Sequence, residues 1–404
     1  MRLIIIAIFL ATTIFGFILK YLTYSRRNAP LPENVKDVYD EESYKKTQSY
    51  QMEKLSLSSI SGVVGMAVSL SFLLNNFHHG LYTYIIAHTD SIYLKSMFLL
   101  FVPVIISGII SSLIGIYDTF GIEAKYGFNK TTALTFITDL IKGLLIGAVI
   151  GGGLLSLFLF MYESIGDGVF LAFFFILAAF SLFINFISPL LIRIFYKLTP
   201  LEDGELKSKI EQLAENTGYK LKGIYMVNAS KRSTKLNAFA SGFGKTKTIG
   251  LFDTLLEKMT DDEVISVLAH EIGHAKKRHI LKMLPLSLMV LGVMTLSAYF
   301  IITSPSVAQA FGFSNANLAF GIYVMFIMVS PLLLVLQIPS CVLSRKFEYE
   351  ADSFAKDKSR KEILISALKK LYRESFANLT PHPFVVLMEH SHPTLSQRIN
   401  ALVK

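Results

Sequence analysis

Thr260-Asp261-Asp262-Glu263-Val264-Ile265-Ser266-Val267-Leu268-Ala269-His270-Glu271-Ile272-Gly273-His274 reads as one helix with a defined start and a chemically loaded end. Thr260 and Glu263 stand at capping-box spacing, and Asp261, Asp262 and Glu263 put negative charge at the positive helix terminus. The two histidines lie four residues apart, one turn along the same face, so both imidazoles reach a single ion. Glu271 points to the side, where its carboxylate can act on a water held by that ion rather than ligate it. This is the H-E-x-x-H arrangement of zinc peptidases. Neutral imidazoles leave the ion cationic enough to bring the pKa of its water to about 7, and a carboxylate can then move the proton. The bland alternative is two surface histidines on an amphipathic helix. On a continuous helix His279 is half a turn out of phase with His270 and reads as an ordinary surface histidine.

Two histidines leave a metal short of a third protein ligand. The single cysteine, Cys341, excludes a disulfide framework and a multi-cysteine site, so the remaining ligand is histidine or carboxylate. Ser344-Arg345-Lys346-Phe347-Glu348-Tyr349-Glu350-Ala351-Asp352 reads as a helix with Glu348 and Asp352 on one face. A carboxylate here can ligate while a neighbour hydrogen-bonds the far nitrogen of a histidine ligand. Spacing alone leaves Glu348, Glu350 and Asp352 open, and all three acids could simply balance Arg345 and Lys346.

Outward from these segments the chain is apolar. Of its 404 residues 52% are hydrophobic and only 17% charged, below the quarter typical of soluble domains. Seven stretches are long enough for a hydrocarbon core: Leu3–Leu19, Leu55–Asn76, Met97–Tyr117, Gly143–Met161, Gly168–Phe195, Leu284–Ile302 and Ala319–Leu343. The first exceeds a signal-peptide core and lacks a small-x-small cleavage site, so it reads as a retained anchor. Gly143, Gly147 and Gly151 give the fourth a small-residue face for close helix contact. Lysine and arginine crowd the segments after spans one, three and five, whereas the loop after span two has only Lys95 and those after spans four and six have none. The N-terminus is therefore expected outside and the C-terminus in the cytoplasm, with both metal-ligand segments on the cytoplasmic side. The net charge of +9 follows from that asymmetry, and no nucleic-acid partner is expected. Membrane lipid is the expected surrounding.

The chain resembles the type I CAAX prenyl endopeptidases (a-factor-converting enzymes), a branch of the gluzincin integral membrane zinc metallopeptidases. The resemblance rests on Asp118-Thr119-Phe120-Gly121-Ile122-Glu123-Ala124-Lys125-Tyr126-Gly127-Phe128-Asn129-Lys130-Thr131, on Asn237-Ala238-Phe239, on Gly242-Phe243-Gly244-Lys245-Thr246-Lys247, on Leu251-Phe252-Asp253-Thr254-Leu255-Leu256, and on Glu348-Tyr349-Glu350-Ala351-Asp352, which fits the family's E-x-x-A-D pattern. It implies Glu348 as third ligand of one Zn²⁺ per chain beside His270 and His274, Glu271 as general base, and Asp352 as hydrogen-bond partner of a histidine ligand. His392 and Arg398 match an H-P-x-x-x-x-R element near the catalytic centre, where such donors stabilise an oxyanion or contact substrate. Arg398 could instead orient Asp352 or Glu348, and His392, before Pro393, could merely cap the last helix. Leu236 to Phe252 alternates as two short strands joined around Gly242-Phe243-Gly244. In related enzymes the strand at Asn237, Ala238 and Phe239 is an open edge that binds peptide by strand addition, although a plain hairpin bracing the zinc helix fits the pattern equally.

The expected architecture is mainly α: seven transmembrane helices, which the resemblance implies form a barrel around a water-filled chamber, and a cytoplasmic zincin-like lobe with a small β-hairpin or sheet. By segments, 1–196 holds spans one to five with their loops and 197–283 the edge strand and H-E-x-x-H helix. Residues 284–343 hold spans six and seven, and 344–404 the E-x-x-A-D and H-P-x-x-x-x-R helices. The expected reaction is peptide hydrolysis on a peptide or protein substrate. The resemblance narrows it to removal of three residues from a prenylated Cys-aliphatic-aliphatic-X terminus. The alternatives are a broad quality-control protease of the same metal class, and a channel or transporter with structural zinc, which would have no use for Glu271. The terminal Ala401-Leu402-Val403-Lys404 lacks a basic retention signal, which favours a bacterial inner membrane over the endoplasmic reticulum.

Overall fold

The computed structural model describes residues 1–241 and 247–404, except for the side chains of residues 185, 186, 188–190 and 241. The membrane half begins with α1 (Arg2–Ser25), α2 (Glu41–Leu74), α3 (Phe77–Ile86), α4 (Ile92–Ile116), α5 (Ala133–Ile165) and α6 (Gly168–Phe195). The chain then forms β1 (Leu198–Pro200), α7 (Glu205–Thr217), β2 (Leu221–Val227), β3 (Ala238–Ser241), β4 (Lys247–Phe252), α8 (Asp253–Lys258) and α9 (Asp261–Lys276). It returns through α10 (His279–Ile302), α11 (Pro305–Gln309) and α12 (Leu318–Lys358), and ends in α13 (Lys361–Glu374), α14 (Pro383–Glu389) and α15 (Leu395–Val403).

Among the described residues six helices are long and apolar enough to cross a membrane: α1, α2, α4 with its continuation to Glu123, α5, α10 and α12. The seventh expected span coincides with α6, a 28-residue helix whose described apolar stretch ends at Ile184. The helices outrun the hydropathy that marks them. α2 begins 14 residues before Leu55, capped by the Asp40 side chain accepting from Ser43 N (2.7 Å), and α12 continues 15 residues beyond Leu343. Hydropathy reports the part in contact with lipid, whereas helix continues wherever its hydrogen bonds and packing allow. Only 11% of the most apolar stretch of α1, α2, α4 and α10 is buried, so these helices do not form a solid bundle.

Two clusters occupy opposite ends of the molecule. At one end Ile5, Leu73, Ile85, Leu99, Phe311, Phe313 and Phe320 join α1, α2, α3, α4 and α12. At the other, the lobe core gathers Ile210 and Leu213 of α7, Ile249 and Leu251 of β4, Leu268 and Ile272 of α9, Leu364 and Leu368 of α13, and Ile399 of α15. The loop after α1 belongs to this core through Val35, Val38 and Tyr39; the Tyr39 hydroxyl donates to Tyr372 O (2.8 Å) and Arg373 Nε to Val38 O (2.7 Å). The segment after α4 also reaches the lobe, Lys130 N donating to Arg232 O and Thr234 N to Phe128 O. The positively charged loops of the sequence thus pack together on one side.

Instead of a lone hairpin, the lobe carries a four-stranded sheet in the order β1-β2-β4-β3. β2 runs parallel to β4, a pairing invisible to local alternation because residues 228–246, β3 among them, separate the two strands; β3 pairs antiparallel with β4. The expected turn at Gly242-Phe243-Gly244 lies outside the described residues.

α9 is central, burying Glu263, Val264, Ser266, Val267, Leu268, Ala269, His270, Ile272 and Gly273. Its start is the expected capping box between Thr260 and Glu263, and Glu263 is held further by Lys370 Nζ (2.6 Å) and Ser366 Oγ (2.8 Å). α9 and α12 cross closely at Gly273, where an added Cβ would stand 3.2 Å from Ala351 Cα and 3.2 Å from Phe354 Cβ. Backbone cannot swing aside as a side-chain end can. Gly273→Val is therefore expected to force the helices apart, separating His270 and His274 from Glu348. Its zinc content after purification should fall well below wild type, with Gly273→Ala intermediate.

Candidate metal centre

α9 presents His270 and His274, and α12 presents Glu348 from the opposite side of the crossing. His270 Nε2 lies 3.2 Å from His274 Nε2 and 3.4 Å from Glu348 Oε2; His274 Nε2 lies 3.3 Å from Glu348 Oε1. A tetrahedral zinc with ligand bonds of about 2.0–2.1 Å spaces its ligands about 3.3 Å apart. Glu348 Oε2 is buried without a hydrogen-bond donor, an arrangement that costs free energy unless a cation completes it. Among the described residues this trio is the group whose His, Asp and Glu atoms converge for a metal. The donors therefore fit zinc.

Around the trio stands a buried ionic shell. Asp352 Oδ1 is 2.9 Å from His270 Nδ1, and Arg398 clamps Asp352 in two-point fashion, Nε to Oδ2 at 2.8 Å and Nη2 to Oδ1 at 2.6 Å. The Arg398 guanidinium also lies 3.6 Å from Glu348 Oε2 and 3.4 Å from His270 Nδ1. It is buried, with its charge directed at the two carboxylates. His392 Nε2 lies 3.3 Å from Glu348 Oε1 while its side chain is 61% exposed, so it stands at the exposed margin of the centre. The last helix is capped by Thr394 in a capping box with Gln397, not by His392.

Burial pulls the His270 imidazole down, but Asp352 and Glu348 outweigh it and lift the metal-free group to about 9. Burial would raise the Glu348 and Asp352 carboxyls, yet His270 and its neighbours hold both below the usual range. A ligating imidazole must be neutral, so zinc bound there near neutral pH would displace a proton from His270. Zinc affinity is expected to rise about tenfold per pH unit and to level off near pH 9, with about one proton released per ion. Zinc titrations of metal-free protein at several pH values check this; a flat profile contradicts it.

Glu271 is half-buried beside the two histidines. Its charge also faces Tyr219, whose hydroxyl burial and Glu271 together push to about 12. Asn237 is exposed at the start of β3, its Oδ1 accepting from Ala238 N (2.9 Å) and its carbonyl from Phe252 N. Ala238 turns into the lobe core, whereas the Phe239 ring lies over Gly250 of β4, where a Cβ would come within 2.3 Å of it. β3 is outermost in the sheet, and no described residue pairs with its free edge.

His279, expected at the surface, is buried at 5% exposure. α9 ends before Arg278, which takes a left-handed conformation (φ 55°), and α10 starts anew at His279. This break turns the ring back toward His274 and packs it flat on Phe347 (4.3 Å, 5°). Glu350, one of the three open carboxylates, pairs with His279 and Lys282 rather than joining the trio. Lys276-Lys277-Arg278 contains neither glycine nor proline, so no local signal announced the break.

Comparison with known proteins agrees with this geometry. Residues 20–197 match a family model described as CAAX prenyl protease N-terminal, five membrane helices, and residues 200–404 match Peptidase family M48. The chain is 32% identical over 413 residues to CAAX prenyl protease 1 of Saccharomyces cerevisiae, covering 95% of this chain and 91% of that protein. It is 35% identical over 293 residues to the CAAX prenyl protease 1 homolog of Arabidopsis thaliana, covering 71% and 68%. The crystal structure of S. mikatae Ste24p matches with a TM-score of 0.94 at 30% identity, over 100% of this chain and 99% of that one. With two histidines and a glutamate converging at the crossing of α9 and α12, and with these likenesses along its length, the chain belongs to peptidase family M48 and is an integral membrane zinc metalloprotease.

Proposed function

We propose that the enzyme hydrolyses the peptide bond that frees the C-terminal tripeptide of prenylated Cys-aliphatic-aliphatic-X proteins or peptides. The observation that carries the chemistry is the spacing of His270, His274 and Glu348, which matches a single zinc ion. The substrate class is supported by the CAAX prenyl protease relatives. Zinc bound there supplies a Lewis acid that polarises the scissile carbonyl and acidifies water. Glu271 takes the proton of the attacking water and returns it to the leaving nitrogen. His392, exposed and 3.3 Å from Glu348, donates to the oxygen on which charge develops. Asp352 holds the His270 ring with its Nε2 toward the metal, and Arg398 holds Asp352, which favours a positioning role for Arg398 over direct substrate contact. Substrate lies extended along the free edge of β3, where Asn237, Ala238 and Phe239 offer backbone hydrogen bonds and side-chain contacts.

The sparse burial of α1, α2, α4 and α10 supports helices arranged around an internal chamber. The lobe draws on the loops after α1 and α4 as well as on the chain after α6 and the end of α12. Their assembly on one side supports a cytoplasmic lobe, an outer N-terminus and a division into alternating membrane and lobe segments. Matched peptides with and without a prenyl group test the substrate class. The prenylated peptide should be cleaved at least about tenfold more efficiently, since burying even part of an isoprenoid chain is worth more than the roughly 1.4 kcal/mol this requires. Equal turnover would leave the broad quality-control protease as the better reading.

A further inference from the structure

The two zinc-facing histidines are supported differently. His270 leans on a carboxylate, Asp352. His274 has no such partner: its Nδ1 faces His279 Nδ1 at 2.9 Å, and His279 Nε2 faces Glu350 Oε2 at 3.2 Å. Lys282 Nζ completes the row, donating to the same Glu350 oxygen at 3.0 Å.

The hydrogen positions follow from the geometry. His274 turns Nε2 toward His270 and Glu348, so that nitrogen must carry a lone pair to serve as a ligand. Its hydrogen then sits on Nδ1. The nitrogen opposite must accept, so the His279 ring carries its own hydrogen on Nε2, where Glu350 receives it. Each group has one role compatible with its neighbours. Resting on the zinc-site reading above, we propose that His279 is a positioning residue for His274: it fixes the ligand's tautomer and ring orientation, with Glu350 and Lys282 anchoring His279 in turn.

The row depends on the left-handed Arg278. Were α9 to continue unbroken, residue 279 would lie about 140° around the helix from residue 274, outside hydrogen-bond reach. A non-glycine residue in that region is uncommon, and here it delivers the only histidine placed against His274 Nδ1 among the described residues. The stack on Phe347 offers a competing explanation, in which His279 is merely a well-packed ring.

A pair of substitutions separates the two. His279→Phe keeps an aromatic ring on Phe347 but removes the acceptor. His279→Asn gives up the stack but places Oδ1 where Nδ1 stood. Zinc dissociation constants of purified protein, measured by chelator competition, should weaken about 10–100-fold in His279→Phe and stay near wild type in His279→Asn. The visible spectrum of cobalt-loaded protein should change in the first variant and not in the second. Wild-type affinity in His279→Phe, or equal weakening in both variants, would overturn the proposal. Should His279→Phe fail to fold, weakened zinc binding in a folded His279→Asn variant overturns it and wild-type binding supports it. A His274→Ala control separates this from failure of the site itself, since undiminished zinc binding in that control would dismiss the trio as well.

Discussion

Glu271→Gln is expected to lower peptide hydrolysis by roughly 10²–10⁴-fold while zinc remains bound at wild-type stoichiometry. Glutamine keeps the volume and a hydrogen-bonding oxygen but cannot take a proton from water or carry it to the leaving nitrogen. Glu271 is not a member of the converging trio, so its replacement leaves the ligands intact. Metal content measured beside peptide turnover therefore separates loss of the proton carrier from loss of the ion. A variant with full zinc and wild-type turnover would remove Glu271 from the mechanism. By contrast, Glu348→Gln weakens the charge that balances the ion and should reduce both readings together.

Arg398→Ala should produce the largest loss of stability among the site residues, about 3–5 kcal/mol. The guanidinium is buried in two-point contact with Asp352 and lies beside Glu348. Truncation strands two carboxylates in a low-dielectric site with His270 as their remaining nearby cation. The cost arises from this uncompensated burial, not from the net worth of the pair. Arg398→Lys restores a point charge but not the planar fork, so partial recovery is expected. Unfolding in detergent with a chelator present keeps zinc binding from masking the difference. An unchanged midpoint would mean that water or a shifted side chain replaces the arginine.

The Arg398 clamp also illustrates why the site was only partly legible in sequence. Its identity as a candidate came from resemblance, which left substrate contact and orientation of Asp352 both open. The choice between them depends on burial and on a contact spanning 46 residues. Likewise, the two strands β3 and β4 followed from alternation and an open edge at β3 from the resemblance, but the parallel pairing of β4 with β2 did not, because residues 228–246 separate those two strands in sequence. The sequence leaves Glu350 among three open carboxylates and reads His279 as a surface residue for the same reason: neither has a local pattern linking it to His274.

By itself the sequence determined the capped helix that sets His270 and His274 one turn apart, the membrane-crossing stretches, and the charge asymmetry of their loops. These are properties of neighbouring residues: helical period, run length and local charge are readable wherever they occur. The tertiary structure alone decided how α9 and α12 meet at Gly273 and Ala351, that Asp352 and Arg398 form the buried clamp, and that the break at Arg278 folds His279 back onto His274. Those features depend on hydrogen bonds and close contacts between segments far apart in the chain, and on one left-handed residue, Arg278, at the junction of α9 and α10.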